Sequence, residues 1–224
     1  MTEPTPAAVA VSPDEPTDDT SAAPPAATPT PRKRPKPGER REQILQALAQ
    51  MLEQPGAERI TTAALAARLD VSEAALYRHF ASKAQMFEGL LEFIETSVFS
   101  RINQITEREA DPRVQAARSL ALLLQFADKN PGMCRVMVGD ALVFEHERLS
   151  ARMNQFFDRI ESQLRVSLRA LAEAQGSATP TVDASAQASV LTSFALGRLQ
   201  RYARSGFKRS PVEHLDAALA LLLS

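Results

Sequence analysis

The sequence predicts an all-α protein, with a small N-terminal helical unit joined by one long helix to a larger C-terminal helical bundle. Three observations carry that prediction. Apolar residues recur at spacings of three and four from about residue 39 to the C-terminus, with no strand-like alternation of any length and no internal repeat. Helix punctuation divides that pattern into about nine segments: Asp111-Pro112, Asn130-Pro131-Gly132, Gly176 and Pro211 are starts and stops. The composition, 44% apolar with no Trp and ten Phe in 224 residues, suits a core built mostly from Leu, Ala, Ile and Val.

Residues 1–38 stand outside the folded part. Eight of the fifteen prolines lie in residues 1–31, with Ala, Thr, Ser and acids between them, a composition that cannot bury a core and predicts disorder. Residues 32–41, Arg-Lys-Arg-Pro-Lys-Pro-Gly-Glu-Arg-Arg, read either as a solvated linker or as a basic arm that touches DNA. Their place just before the first helical unit favours the arm.

The first helix is expected over residues 39–53, with Ile44, Leu45, Leu48, Met51 and Leu52 on its inner face and Pro55-Gly56 ending it. Residues 60–80 then read as two short helices around a tight turn. Leu65, Leu69, Val71, Leu76 and Phe80 sit where two crossed helices would meet, and Ala63, Ala64, Ala66 and Ala67 allow close approach of a neighbour. Asp70 occupies a turn position that wants a left-handed residue, which Asp tolerates. Ser72 is a good N-cap for the third helix. The polar remainder, Thr61, Thr62, Ser72, Glu73, Tyr77, Arg78 and His79, is left facing outward, the layout of a helix-turn-helix DNA reader.

Ser82-Lys83-Ala84-Gln85 is a capping-box pattern opening helix four, whose stripe runs through Met86, Phe87, Leu90, Leu91, Ile94, Val98, Ile102 and Ile105. More than twenty residues long, it bridges the two parts. Helix five begins at Asp111-Pro112 and is apolar nearly all round (Leu120, Leu122, Leu123, Leu124, Phe126), hence central. A short helix over 133–138, a long one over about 141–175 and two more over 183–205 and 210–223 complete the bundle. The last two carry wide apolar faces, through Val190, Leu191, Phe194, Leu199 and Tyr202 and through Leu215, Ala218, Leu219 and Leu222. Such faces suggest pairing with a second copy. A symmetric seam would set two readers ~34 Å apart, one turn of DNA, and so require a palindromic site.

Charge and chemistry narrow the function. The net charge is −1, but residues 1–31 hold five acids and no Lys or Arg, while residues 32–83 hold ten Lys or Arg against six acids. A basic segment coinciding with a helix-turn-helix is the footprint of a phosphate binder. The lone Cys134 permits no internal disulfide, suits a reducing cytoplasm and reads as a small buried hydrophobe. No apolar run approaches the ~20 residues of a membrane span, and the N-terminus lacks a signal-peptide pattern. His79, His146 and His214 have no zinc spacing, and His146-Glu147 is not followed by the second His of a metalloprotease motif. Glu145 and Glu147 read as a solvated helix face. Neither a Gly-rich phosphate loop nor a nucleophile elbow occurs, so nothing points to an enzyme, and no cofactor or metal is expected.

The stretch Ile60-Thr61-Thr62, Leu65-Ala66, Val71-Ser72, Ala75-Leu76-Tyr77-Arg78-His79-Phe80 and Ser82-Lys83 resembles the TetR family of dimeric helix-turn-helix regulators. Further segments, among them Glu92-Phe93-Ile94-Glu95, Arg101-Ile102-Asn103, Asn130-Pro131-Gly132, Phe144-Glu145 and Arg159-Ile160-Glu161, resemble the nucleoid occlusion branch of that family, the SlmA-like proteins, from about residue 40 to 211. The sequence departs from that pattern at Asp70, where Gly is common, at Ala81, where Pro is usual, over residues 125–128 and 172–188, and in the N-terminal tail. The resemblance implies a TetR-like fold: a tail over residues 1–38, a DNA-binding domain over 39–81 and a regulatory and dimerisation domain over 82–224. It also implies a DNA-bound homodimer that antagonises the tubulin-like division protein FtsZ and blocks septation over the nucleoid, in the cytoplasm.

For DNA, the residues imply Thr62 and Ser72 at phosphates, with Thr61 beside them. Glu73, Ala74, Tyr77 and Arg78 are placed at the groove face, with Ala74 able to meet a thymine methyl, and His79 and Lys83 at the backbone. For the FtsZ C-terminal tail, the resemblance implies Phe93, Arg101, Lys129 and Asn130. Phe93 lies off the main stripe of helix four, where a purely structural helix would prefer a polar residue. The alternative is a ligand-responsive TetR-type repressor with a pocket among helices four to seven.

Overall fold

A computed structural model describes residues 38–54 and 59–224; the tail, residues 32–37 of the basic arm and the Pro55-Gly56 stop lie outside the described residues. Among the described residues there are nine α-helices and no strand. They are α1 (Glu39–Leu52), α2 (Thr62–Arg68), α3 (Glu73–Tyr77), α4 (Lys83–Arg108), α5 (Pro112–Lys129), α6 (Pro131–Met137), α7 (Glu147–Ala174), α8 (Pro180–Arg204) and α9 (Leu215–Leu222).

The starts follow from side-chain chemistry. Thr61, Ser72 and Ser82 are in extended conformation and their hydroxyls accept from the backbone N–H three residues on, at 3.1, 3.3 and 3.2 Å. Gln85 completes the box at Ser82 by reaching one residue further back, where its Oε1 accepts from the N–H of Ala81 at 2.8 Å. Asp111 caps α5 by accepting from Arg113 N–H at 2.8 Å, with Pro112 at the first helical position.

The core follows the apolar stripes. Met86, Phe87, Leu90, Leu91, Ile94, Val98 and Ile102 of α4 are all buried, while Ile105 near its end is half-buried. α5 packs against α4, α6, α7 and α8, the central place its all-round apolar surface predicts. Leu120, Leu123, Leu124 and Phe126 are buried and Leu122 is half-buried. Cys134 is fully buried with its thiol on the Leu199 carbonyl at 3.6 Å, and burial, then the charge of Asp140, pushes its pKa up to about 12.

α6 joins the bundle to the N-terminal unit. A Cβ on Gly132 would stand 2.1 Å from the Ala49 carbonyl oxygen of α1, so only glycine lets these backbones meet. Gly89 of α4 lies against the Leu45 side chain, where a Cβ would be at 3.0 Å.

Three predicted boundaries are corrected. The long helix does not begin at residue 141: Gly139 takes a left-handed φ of 86°, a single 3-10 turn (Asp140–Leu142) buries Ala141 and Leu142, and α7 starts after His146. There the imidazole Nδ1 accepts from the Arg148 N–H at 3.2 Å, so His146 is a helix cap. The last helix starts at Leu215 because Ser210 is tied to Asp128 at 2.8 Å and His214 takes a φ of 51°. α8 starts at Pro180, earlier than expected, since Asp183 binds the hydroxyls of Ser177 and Thr179 one turn upstream.

Candidate nucleic-acid interface and partner groove

In the helix-turn-helix, Leu65, Ala66, Leu76 and Phe80 are buried, and Leu69 and Val71 are half-buried against them. Asp70 has a φ of 53°, the left-handed turn the sequence calls for. Of the four small residues on α2 only Ala66 is buried; Ala63, Ala64 and Ala67 are exposed, so close helix approach needs just one of them.

The outward set is as expected. Thr61, Ser72, Glu73, Ala74, Tyr77, Arg78 and His79 are exposed, with Tyr77 at 45%, an unusual exposure for an aromatic with no structural task. Thr62 is half-buried. The cap of α2 is Thr61, and the Thr62 hydroxyl donates to Glu73 Oε2 at 2.5 Å, clamping α2 to the first turn of α3. Glu73 therefore orients the reading helix. Lys83 is likewise engaged within the fold. It is joined to Glu145, whose side chain is 9% exposed, and lies over the Phe87 ring, so it pins the start of α4 to the loop before α7. Glu145 is thus a nearly buried ion-pair partner, where the sequence suggested a solvated face.

The second candidate surface lies between α4 and α5. Phe93 is 48% exposed, which excludes a core role, and its ring leans on Phe126 of α5 at 6.2 Å between centroids. Lys129 stands one turn beyond Phe126 and is exposed, and Asn130 donates from its amide to the Phe126 carbonyl at 2.7 Å. Phe93 and Asn130 thus both meet Phe126, near the C-terminal end of α5. Arg101 is exposed two turns further along α4, roughly 12 Å from Phe93 at 1.5 Å rise per residue. The other side of α4 is committed inward. Glu88 and Glu95 pair with Arg148 and Arg152 of α7 at 2.7 Å, the latter bidentate, and the bond to Glu95 holds the Arg152 guanidinium above its usual pKa. With those acids engaged, the groove side presents an aromatic ring and cations.

Residues 44–90 match the bacterial regulatory proteins of the tetR family, and residues 111–224 match the tetracyclin repressor-like C-terminal domain of SlmA-like type. The chain is 54% identical over 184 residues to the nucleoid occlusion factor SlmA of Photobacterium profundum, covering 82% of this chain and 93% of that protein. It is 53% identical to the SlmA of Vibrio vulnificus over 84% of this chain and 95% of the relative. The chain belongs to the SlmA family. Within the wider fold, the SlmA-type chain superposes on the fatty acid degradation regulator FadR of Bacillus halodurans with a TM-score of 0.70 at 15% identity, covering 85% and 97% of the two chains. It superposes on the TetR-family regulator PfmR of Thermus thermophilus with a TM-score of 0.62 at 22% identity, covering 82% and 95%. At such identities these structures establish the TetR-like fold alone, a fold that hosts many regulators.

Sequence reasoning missed three features of this surface. The Thr62–Glu73 clamp and the Lys83–Glu145 pair join residues 11 and 62 positions apart, and no local pattern signals them. The third, a concentration of cations at the end of α8, was legible: no acid occurs between Asp183 and Glu213, against five Lys or Arg.

Proposed function

We infer that this chain acts as a nucleoid occlusion factor: a homodimer that reads palindromic chromosomal sites and, when bound, antagonises FtsZ assembly so that septa do not form over DNA. The single observation that carries this reading is 51–54% identity to SlmA proteins over most of the chain, extending far beyond the DNA-reading motif. DNA binding is assigned to residues 39–81, with Tyr77, Arg78 and Ala74 toward the bases and Thr61, Ser72 and His79 toward the backbone. Residues 82–224 form the regulatory part. The FtsZ C-terminal tail would be held by Phe93, Lys129, Asn130 and Arg101, an aromatic anchor flanked by cations able to meet acidic groups.

Two copies would pair through α8 and α9. Val182 and Val190 of α8 and Leu221 of α9 are 66%, 53% and 79% exposed, an apolar face a second copy would cover. No described helix is long and apolar enough to cross a membrane. The test is FtsZ sedimentation with this protein, with and without a duplex carrying its palindrome. Reduced FtsZ polymer only when DNA is present supports the reading, and no DNA-dependent effect sinks it. The ligand-responsive repressor is the competing outcome, in which a small molecule releases DNA and FtsZ is untouched.

A further inference from the structure

The C-terminal end of α8 and the loop after it carry Arg198, Arg201, Arg204, Lys208 and Arg209, with no acid between Asp183 and Glu213. Arg201, Arg204, Lys208 and Arg209 are exposed and form no ion pair among the described residues. Arg201, Lys208 and Arg209 line one surface recess of about 580 Å³ together with Ser210 and Glu213. Favourable interaction with the helix macrodipole accounts for Arg201 and Arg204, which lie in the last turn. It does not account for Lys208 and Arg209, which follow the left-handed Gly206 and lie outside the helix. There the loop is rigidly built, the Ser205 hydroxyl accepting from the N–H of Lys208 at 3.1 Å and of Arg209 at 2.9 Å. Glu213 supplies one negative charge against the three cations of the recess, which leaves an excess of positive charge for an outside anion to answer.

The fold decides which anion is nearest. α4 leaves the DNA-reading unit, α5 returns to it, and α6 packs on α1 through Gly132. The end of α8 is fastened to that same region: Tyr202 donates to the Asp128 carbonyl at 3.1 Å, Ser210 to the Asp128 carboxylate at 2.8 Å, and Arg135 of α6 lies over the Phe207 ring at 5.3 Å. α9 then runs back to the far end, where Arg113 at the start of α5 binds the Leu223 carbonyl. The basic cluster thus sits at the reader's end of the bundle.

We propose that Arg201, Arg204, Lys208 and Arg209 form a second, sequence-independent DNA contact, meeting phosphates of the duplex that the helix-turn-helix holds. The proposal rests on the DNA-binding reading. It adds that the bundle itself supplies part of the electrostatic affinity and of the capture of non-specific DNA.

The test measures affinity against salt concentration, for the full-length protein, on a cognate palindromic duplex and on an unrelated duplex of equal length. With all four residues replaced by Gln, the slope of log affinity on log salt should fall by about 0.9 for each phosphate no longer neutralised. Unrelated-duplex binding should drop at least tenfold, and the preference for the palindrome should rise. The loop pair Lys208→Gln/Arg209→Gln, off the α8 face assigned to dimerisation, should give part of that change at unaltered oligomeric state. Arg201→Lys/Arg204→Lys/Arg209→Lys should keep the slope. An unchanged slope for a folded loop-pair variant overturns the proposal. So does intact DNA binding with loss of binding to phosphatidylglycerol vesicles or of the FtsZ response, which would assign the cluster to those partners. Failure of the DNA reading itself looks different, since the wild type would then show no palindrome preference at all.

Discussion

At the scale of single residues, exposure separates recognition from support. Tyr77 and Arg78 are exposed at the end of α3, while their neighbours Leu76 and Phe80 are buried, so their substitution leaves the fold alone. Tyr77→Ala or Arg78→Ala should each cost roughly 1–3 kcal/mol of specific binding, read by titration on the palindromic duplex, with an unaltered melting temperature. Phe93→Ala should likewise melt as the wild type and bind DNA as the wild type, while FtsZ sedimentation loses its dependence on DNA. Cys134 behaves oppositely. With its thiol buried and its pKa pushed up to about 12, it should resist iodoacetamide in the native protein at pH 8 and react on unfolding. The same shift weakens the fold in alkali. Below the ordinary thiol pKa of 9.0 folded and unfolded states both keep the proton; between there and about 12 only the unfolded chain releases it, so stability falls across that window. Cys134→Ala should flatten that part of the pH profile.

At the scale of elements, caps and close approaches matter most. Ser72 orders a helix of only five residues, Glu73–Tyr77, which cannot hold its shape by propensity alone. Ser72→Ala should destabilise the reader by about 1 kcal/mol and weaken cognate binding further, because the cap and the orientation of α3 are lost together. Gly132 is a harder constraint. A methyl group at 2.1 Å from the Ala49 carbonyl oxygen has no flexible side chain to push aside, so Gly132→Ala must part α6 from α1. The expected outcome is a lower melting temperature and loss of DNA affinity. Helix existence, caps at Ser72, Ser82 and Asp111, and the buried stripe of α4 were all legible, because each depends on residues within four positions of one another. The start of α7 was not. Ala141 and Leu142 fit a helical stripe, but their burial in a 3-10 turn after Gly139 is settled by packing against distant helices.

At the scale of the molecule, the two candidate surfaces meet at α5 and α6. Phe126 and Lys129 line the groove, and Gly132, six residues after Phe126, touches the reader. The contact of α6 with α1 thus lies within two turns of Phe126. The sequence by itself determined the helical class, the DNA-reading unit and the family, since periodicity, caps and motif spacing are local and additive. It also carried the exposed Phe93, visible as an aromatic off its stripe. Only the tertiary structure decided what the polar residues do. Thr62 and Lys83, both suited to phosphate by type, are held by Glu73 and Glu145, because a hydroxyl or ammonium is claimed by whichever acid the fold brings within reach. Among the described residues the four cations at the end of α8 form no ion pair, with Glu213 the one acid in the recess that three of them line, and the fold leaves them at the reader's end of the bundle.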